Sequence, residues 1–350
     1  MYDPVGIPIE KINEKEGAIS FTATKSNLFD KDIPLIKMLE IHKNQTMFIL
    51  QRDNALNLKF IQSNPNYATK IAKVNIEDFS STSKLFISFT WSEKGKNMIY
   101  IRDYEHGLRS SESYEAPNIK FRVGKDGAIY QIGDEGVKVA ACKVVIGEQT
   151  VLEPTAKELF DFQLEKIKVI IENCKKGNFL FETTLSQRVI VMLITAFEAY
   201  ARERFIELEK EGKSVNIEEL YHCFIPNRHR EQFKDKIKEA AFKDGMTELE
   251  ALISKRSINF QEWESFKDAY NKGYGLKIGE IGISNDLLID IQRTFKWRHK
   301  IIHSKDDQTI INKEDFPSKE PIFTNKDWAV KNLYTFQKFI NALHQSTLKL

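Results

Sequence analysis

The sequence predicts a multi-domain α+β protein, an N-terminal antiparallel β-sandwich followed by a C-terminal all-α bundle. Three observations predict it. At 350 residues the chain exceeds one ordinary domain of roughly 100–200 residues. Up to about residue 147 it reads as short runs that alternate apolar and polar with period two, and from about residue 154 the apolar positions recur with helical spacing instead. The expected organisation is a sandwich over 1–150, a linking helix over 151–180 and a helical domain over 181–350.

The strand-like runs are GAISFTAT, MFILQRD, LKFIQ, KLFISFTW, NMIYIRD, IKFRVG, AIYQIG and VKVAACKVVIG. Turn chemistry separates them, and EKGKN (Glu93 to Asn97) and GKDG (Gly124 to Gly127) suit hairpin connections. The clearest helix is TTLSQRVIVMLITAFEAYARERFIELEKEGK, which starts near Thr183 or Thr184 and stops at Gly212. Further helical segments are expected near 154–174, 228–243, 246–255, 284–304 and 326–347.

The composition, 41% hydrophobic and 29% charged, is that of a globular chain and argues against disorder. No apolar run approaches the roughly 18 residues of a membrane span, and the opening MYDPVGIPIEKINEKEG has neither signal- nor transit-peptide character. Cys142, Cys174 and Cys223 are scattered, so a reducing cytoplasm is expected, with no disulfide framework. A net charge of +2 implies no particular partner, but the basic residues cluster. Arg228, Arg230, Lys234, Lys236 and Lys238 form one group; Arg293, Lys296, Arg298, Lys300 and Lys305 form another. Each is either a solvated helix face or a phosphate-binding surface.

Two fragments of the first half carry a resemblance. EGAISFTATKSN looks like the opening strand, and LFISFTWSEKGKNMIYI like the central hairpin, of concanavalin or LamG-type jelly-roll domains; KVVIGEQTVLEPTAKELFDF is similar to their closing strand and short helix. The resemblance implies a lectin-like jelly roll over most of 14–162. It assigns no ligand, and Trp91 is expected to be a core aromatic rather than a stacking platform.

In the second half, IQRTFKWRHKIIHSKDD holds two of the seven histidines. His299 and His303 lie one helical turn apart, a spacing that can hold a metal. Arg298 and His303 stand about 140° apart around a helix axis, and a guanidinium that binds phosphate beside an imidazole that moves protons is a plausible RNA-cleaving pair. The bland alternative is a partly buried histidine and an exposed cation on a basic helix. Glycine-rich phosphate loops, nucleophile elbows and HExxH are absent from the sequence, and His222, Cys223 and His229 match no zinc spacing.

Arg298-His299-Lys300-Ile301-Ile302-His303 resembles the motif of HEPN superfamily nucleases: an arginine, a polar residue directly after it, and a histidine at the end. Arg293 and His299 satisfy the spacing too. VMLITAFEAYARERF looks like the long first helix of several HEPN families, and the resemblance spans about 180–347. It implies a metal-independent RNA endonuclease without cofactor, working as a homodimer in which two motif helices form one cleft. His303 would be general acid or base on the ribose 2′-hydroxyl and Arg298 the phosphate ligand, leaving a 2′,3′-cyclic phosphate. His299 and Glu198 would support the pair, with Glu198 and Arg202 alternatively forming a surface ion pair; Arg293, Lys296 and Lys300 would contact RNA. The family also implies a role in bacterial phage defence or a toxin system, with the sandwich sensing a trigger or an antitoxin. A noncatalytic dimeric module that binds a ligand or a protein is the alternative.

Overall fold

A computed structural model describes residues 5–24, 28, 33–80, 83–103, 106–133, 137–174, 177–255, 257–303 and 325–350, the side chains of 24, 138, 179, 300 and 303 excepted. The chain divides into two compact units, Met1–Pro154 and Thr155–Leu350.

The first unit is a β-sandwich of two six-stranded antiparallel sheets. One sheet has the order β12 (Gln149–Leu152), β11 (Lys138–Ile146), β1 (Glu16–Thr24), β6 (Lys84–Ser92), β7 (Met98–Arg102) and β8 (Leu108–Glu112). The other has the order β10 (Gly127–Tyr130), β2 (Ile36–Lys43), β3 (Thr46–Arg52), β4 (Asn57–Ser63), β5 (Thr69–Asn75) and β9 (Tyr114–Ala116). Period-two alternation does what it predicts in β6: Leu85, Ile87, Phe89 and Trp91 point into the core. They meet Phe48 and Phe60 of the opposite sheet, with Phe60 and Phe89 centroids 4.4 Å apart. Trp91 is a core ring, 5.0 Å from Phe48, and its Nε1 donates to the Asn13 carbonyl at 2.8 Å. Gly17 permits this packing, because a Cβ there would lie 2.1 Å from the indole. β1 therefore runs through the middle of its sheet, between β11 and β6.

β2 breaks the simple alternation at a register shift between Lys37 and Leu39, which turns Met38 and Leu39 both into the core. The outer face of the second sheet is covered too: Phe121 and Val123 pack on Met47, Ile49, Ile61 and Ile71. IKFRVG is consequently an apolar strap and not a strand: the Phe121 amide donates to Ser63 Oγ and the Gly124 amide to His42 Nδ1, at 3.4 and 2.9 Å. GKDG leads from that strap into β10 and closes no hairpin, whereas EKGKN does join β6 to β7. The β2–β3 turn places Asn44 and Gln45 at φ 43° and 69°, the backbone of a two-residue type I′ hairpin without its usual glycine.

The second unit contains, among the described residues, eight α-helices: α1 (Ala156–Glu172), α2 (Phe179–Lys210), α3 (Ile217–Phe224), α4 (Arg230–Asp244), α5 (Glu248–Ser254), α6 (Trp263–Tyr274), α7 (Asn285–His303) and α8 (Lys326–Thr347). Thr155 with Glu158 and Thr247 with Glu250 form capping boxes that start α1 and α5, while Gly245 and Gly275, at φ 64° and 71°, end α4 and α6. α1, expected to link the domains, packs on α2 and α8 within this unit. α2 starts before Thr183, at Phe179, with Asn178 as its N-cap. By length and composition Leu180–Lys210 would pass for a membrane span, contrary to the expectation from the sequence. Here Val189, Ile190, Leu193, Ile194 and Phe197 turn it into the axis of the bundle. Around Phe197 stand Phe266, Phe295 and Phe339, at 4.9, 5.1 and 5.9 Å.

Candidate functional site

Helix α7 carries the motif, and its buried stripe decides where each motif residue falls. Ile291, Thr294 and Phe295 are buried, a spacing of three and one that is one face of a helix. Phe295 packs on Phe197 of α2 and, at 5.7 Å, on Trp263 of α6. Thr294 Oγ1 donates to the Asp290 carbonyl and lies 2.9 Å from Asn332 Oδ1 of α8. Trp297 is buried against Trp328, 4.8 Å between centroids.

Arg298 follows Ile291, Thr294 and Phe295 at the next position of this stripe, so its stem runs along the seam. The residue is half-buried, and its Nε is shut off from water with no hydrogen-bond partner among the described residues. A guanidinium N–H that has lost water without gaining an acceptor is unfavourable. It marks a place where an acceptor from outside the fold, such as a phosphate oxygen, would be stabilising.

His299 and Lys296 are exposed on the other side of the helix, as is Arg293, 3.8 Å from Asp290. Asp290 also receives Lys331 of α8 at 3.1 Å. Position 303 closes α7 and falls on the helical face of 296 and 299. The side chains of Lys300 and His303, and all of Lys305, lie outside the described residues.

Glu198, expected to support the motif, is half-buried on α2, where Oε2 accepts from Gln261 Nε2 at 2.5 Å. No hydrogen bond or ion pair joins it to Arg298 among the described residues. Arg202 pairs with Glu203 at 2.9 Å, so the alternative Glu198–Arg202 bridge is not formed. Of the other basic cluster, Lys234 is held by Glu218 and Arg230 bonds the carbonyls of His222 and Ile225. These two serve the fold of the α3–α4 corner. Among the described residues no group of three or more His, Cys, Asp and Glu is arranged to hold a metal ion.

The most strongly perturbed polar groups lie elsewhere in the bundle. Arg204, 2% exposed, donates to Glu207, Glu211 and Thr347, and Glu207 Oε1 accepts the Ala156 amide at the start of α1. Beside them Tyr200 Oη and His344 Nδ1 are 3.2 Å apart. Burial, reinforced by the Arg204 charge, pushes His344 down to about 4, and burial pushes the Tyr200 hydroxyl well up. The network ties α1, α2 and α8 together. Its sequence signal was the spacing of Arg204, Glu207 and Glu211 on one face of α2.

No family model and no curated protein matches the sequence. Among solved structures the chain is similar to the receptor binding domain of botulinum neurotoxin mosaic serotype C/D, at 15% identity and a TM-score of 0.26. The match covers 44% of this chain and 37% of that one, and a likeness of this size carries no argument about fold or function.

Proposed function

We propose that the helical unit is a metal-independent RNA endonuclease of HEPN type, acting as a homodimer in bacterial phage defence or a toxin system, with a jelly-roll sandwich as its sensing or regulatory module. The observation that supports the reading is Arg298, whose Nε is desolvated without an acceptor among the described residues, one helical position before the polar residue His299. In this reading Arg298 binds the scissile phosphate and the charge that develops on it. His303 takes the proton of the ribose 2′-hydroxyl; the oxygen attacks phosphorus, the 5′-oxygen leaves, and a 2′,3′-cyclic phosphate remains. Lys296, Lys300 and Arg293 lie along the RNA strand, and the second motif helix completes the cleft.

A noncatalytic dimeric module is the second reading. The packing of the Arg298 stem into the α7 seam favours it, since a structural arginine would sit the same way. Cleavage of labelled RNA by the purified full chain, with and without chelator, separates the two. The nuclease reading expects cleavage that resists EDTA and disappears in Arg298→Ala and His303→Ala. No cleavage of any RNA by the dimer, or full cleavage by His303→Ala, sinks it.

A further inference from the structure

The strap over the second sheet hangs on a histidine. The Phe121 amide reaches Ser63, and the Asp126 carboxylate accepts the Asn44 amide at 2.9 Å. Between these two points one hydrogen bond among the described residues holds the strap to the sheet, from the Gly124 amide to His42 Nδ1 at 2.9 Å. Ladder pairing with β2 begins only at Gly127. Beneath the strap lie Met47, Ile49, Ile61 and Ile71, all buried, with Phe121 and Val123 packed across them.

The protonation state of His42 follows from its neighbours. A backbone amide only donates, so Nδ1 is the bare nitrogen of the ring and the proton sits on Nε2, 3.1 Å from Glu40 Oε1. The ring is 2% exposed, and both of its polar atoms depend on these protein partners. A second proton would go to Nδ1 and set two N–H groups against each other. Turning the ring over brings no relief, because both nitrogens of an imidazolium donate. The Gly124 bond and the charged ring are therefore incompatible.

The charges around the ring decide which contact yields. On β2, Glu40 faces it directly, and Lys37 stands 2.8 Å from that carboxylate and over the Tyr130 ring of β10. Burial pushes the Glu40 carboxyl up, but Lys37 and His42 hold it below its ordinary 4.5, so it stays ionised in mild acid. β3 sets Met47 opposite His42 and β10 sets Gly127 there, neither of them charged. Asp126, next to Gly127, is 4.0 Å from Lys43, and the strap's Arg122 and Lys125 are exposed. An imidazolium on Glu40 makes a charge-assisted hydrogen bond, roughly twice as strong as a neutral one, whereas the strap has a single neutral bond to lose.

We propose that His42 is a proton-operated latch: neutral, it holds the middle of the strap on the apolar face of the second sheet; protonated, it stays on Glu40 and lets residues 122–125 lift. The sheets themselves remain paired, because the latch fastens no ladder hydrogen bond. The device is independent of the nuclease reading.

The test is hydrogen exchange of the full chain, read by mass spectrometry on peptides covering 119–126 and corrected for the pH dependence of chemical exchange. From about pH 7.5 to 5.5, where an imidazole ordinarily takes up its proton, strap protection is expected to fall about tenfold, the worth of one hydrogen bond. Peptides of β3 and β4 should keep theirs. His42→Gln supplies an acceptor and a donor that do not titrate, and its strap should stay protected throughout. Glu40→Gln removes the charge that favours the imidazolium and should move the opening to lower pH; it keeps the latch falsifiable if His42→Gln does not fold. Four outcomes overturn the latch. They are unchanged strap protection in the unaltered chain, an equal fall in His42→Gln, an opening of Glu40→Gln at the same pH, and a fall shared by β3 and β4, which would be unfolding of the sandwich.

Discussion

The rim of the recess beside the β4–β5 turn and helix α7 handle their charged groups in different ways. Around that recess of the sandwich Lys15 faces Glu93, Lys70 is held by the carbonyls of Ser92 and Gly95, and Glu14 accepts from Asn44, so most of its charged groups have a partner within the same unit. In the helical unit α7 buries part of an arginine and provides its Nε with no acceptor among the described residues. The Arg298 Nε, shut off from water and without an acceptor among the described residues, would be stabilised by an acceptor from outside the fold, which the proposed cleft between two copies would admit. The difference separates groups that one chain satisfies by itself from a group that the proposed chemistry would have to satisfy.

The largest expected effect falls on that contrast. Arg298→Ala and His303→Ala should each lower RNA cleavage by about 10²–10⁴-fold, the range of one acid–base or charge-stabilising group. Gel assays on dimer of unchanged circular dichroism measure it. Full cleavage by Arg298→Ala would leave that Nε a group of the fold alone, and the contrast would break.

Next in size is the buried network of the bundle. Arg204→Met should cost about 2–3 kcal/mol, less than the roughly 3–5 kcal/mol of a fully buried pair, because Glu207 and Glu211 still reach water. Denaturant unfolding followed by helical ellipticity reads it, and an unchanged midpoint would remove the network from the account of stability. Acid should then separate the units. His344 is held at about 4 in the fold against an ordinary 6.5, so the unfolded chain binds the extra proton between these values and the bundle loses stability as pH falls through that window. In the sandwich, Asp53 is pushed up by burial but pulled below its ordinary 3.8 by Lys59 and Asn57. Its contribution is present above 3.8 and disappears only at lower pH. Thermal scans from about pH 6.5 to 4 should therefore lower the helical transition before the sandwich transition, and His344→Gln should flatten the first slope.

The division into sandwich and helices was legible because the repeat of apolar residues changes from two to helical spacing, and that repeat reports burial on one face. It failed where the ladder is irregular. In β2 a register shift between Lys37 and Leu39 places Met38 and Leu39 both in the core, and the 119–124 strap alternates without hydrogen-bonding as a strand. α3 and α6 are short, and α6 also carries Gly273, a residue that ordinarily weakens a helix. That glycine is there to admit Phe205, since a Cβ would stand 2.7 Å from the ring, and the need for it arises only in the packed bundle. At the candidate site, Arg298 was legible as a motif residue. Its shielding was not, since that depends on Phe295 and Trp297 finding partners on α2, α6 and α8. The sandwich recess was not legible at all: Glu14, Asn66 and Glu115 lie on distant stretches of chain and meet only after two sheets have formed.

The smallest expected effect falls at the rim of that recess. Tyr67 lines it, is mostly exposed and has no side-chain hydrogen bond among the described residues, so its removal deletes few contacts and leaves no buried group unpaired. Tyr67→Ala should change the stability of the sandwich by no more than about 0.5 kcal/mol, the ordinary range for surface positions. Phe60→Ala, which empties a fully buried position in the same unit, should cost about 3–5 kcal/mol. Should Tyr67→Ala unfold the sandwich as Phe60→Ala does, the ring would belong to the core, and the rim of the recess would be held by packing as well as by its ion pairs and hydrogen bonds.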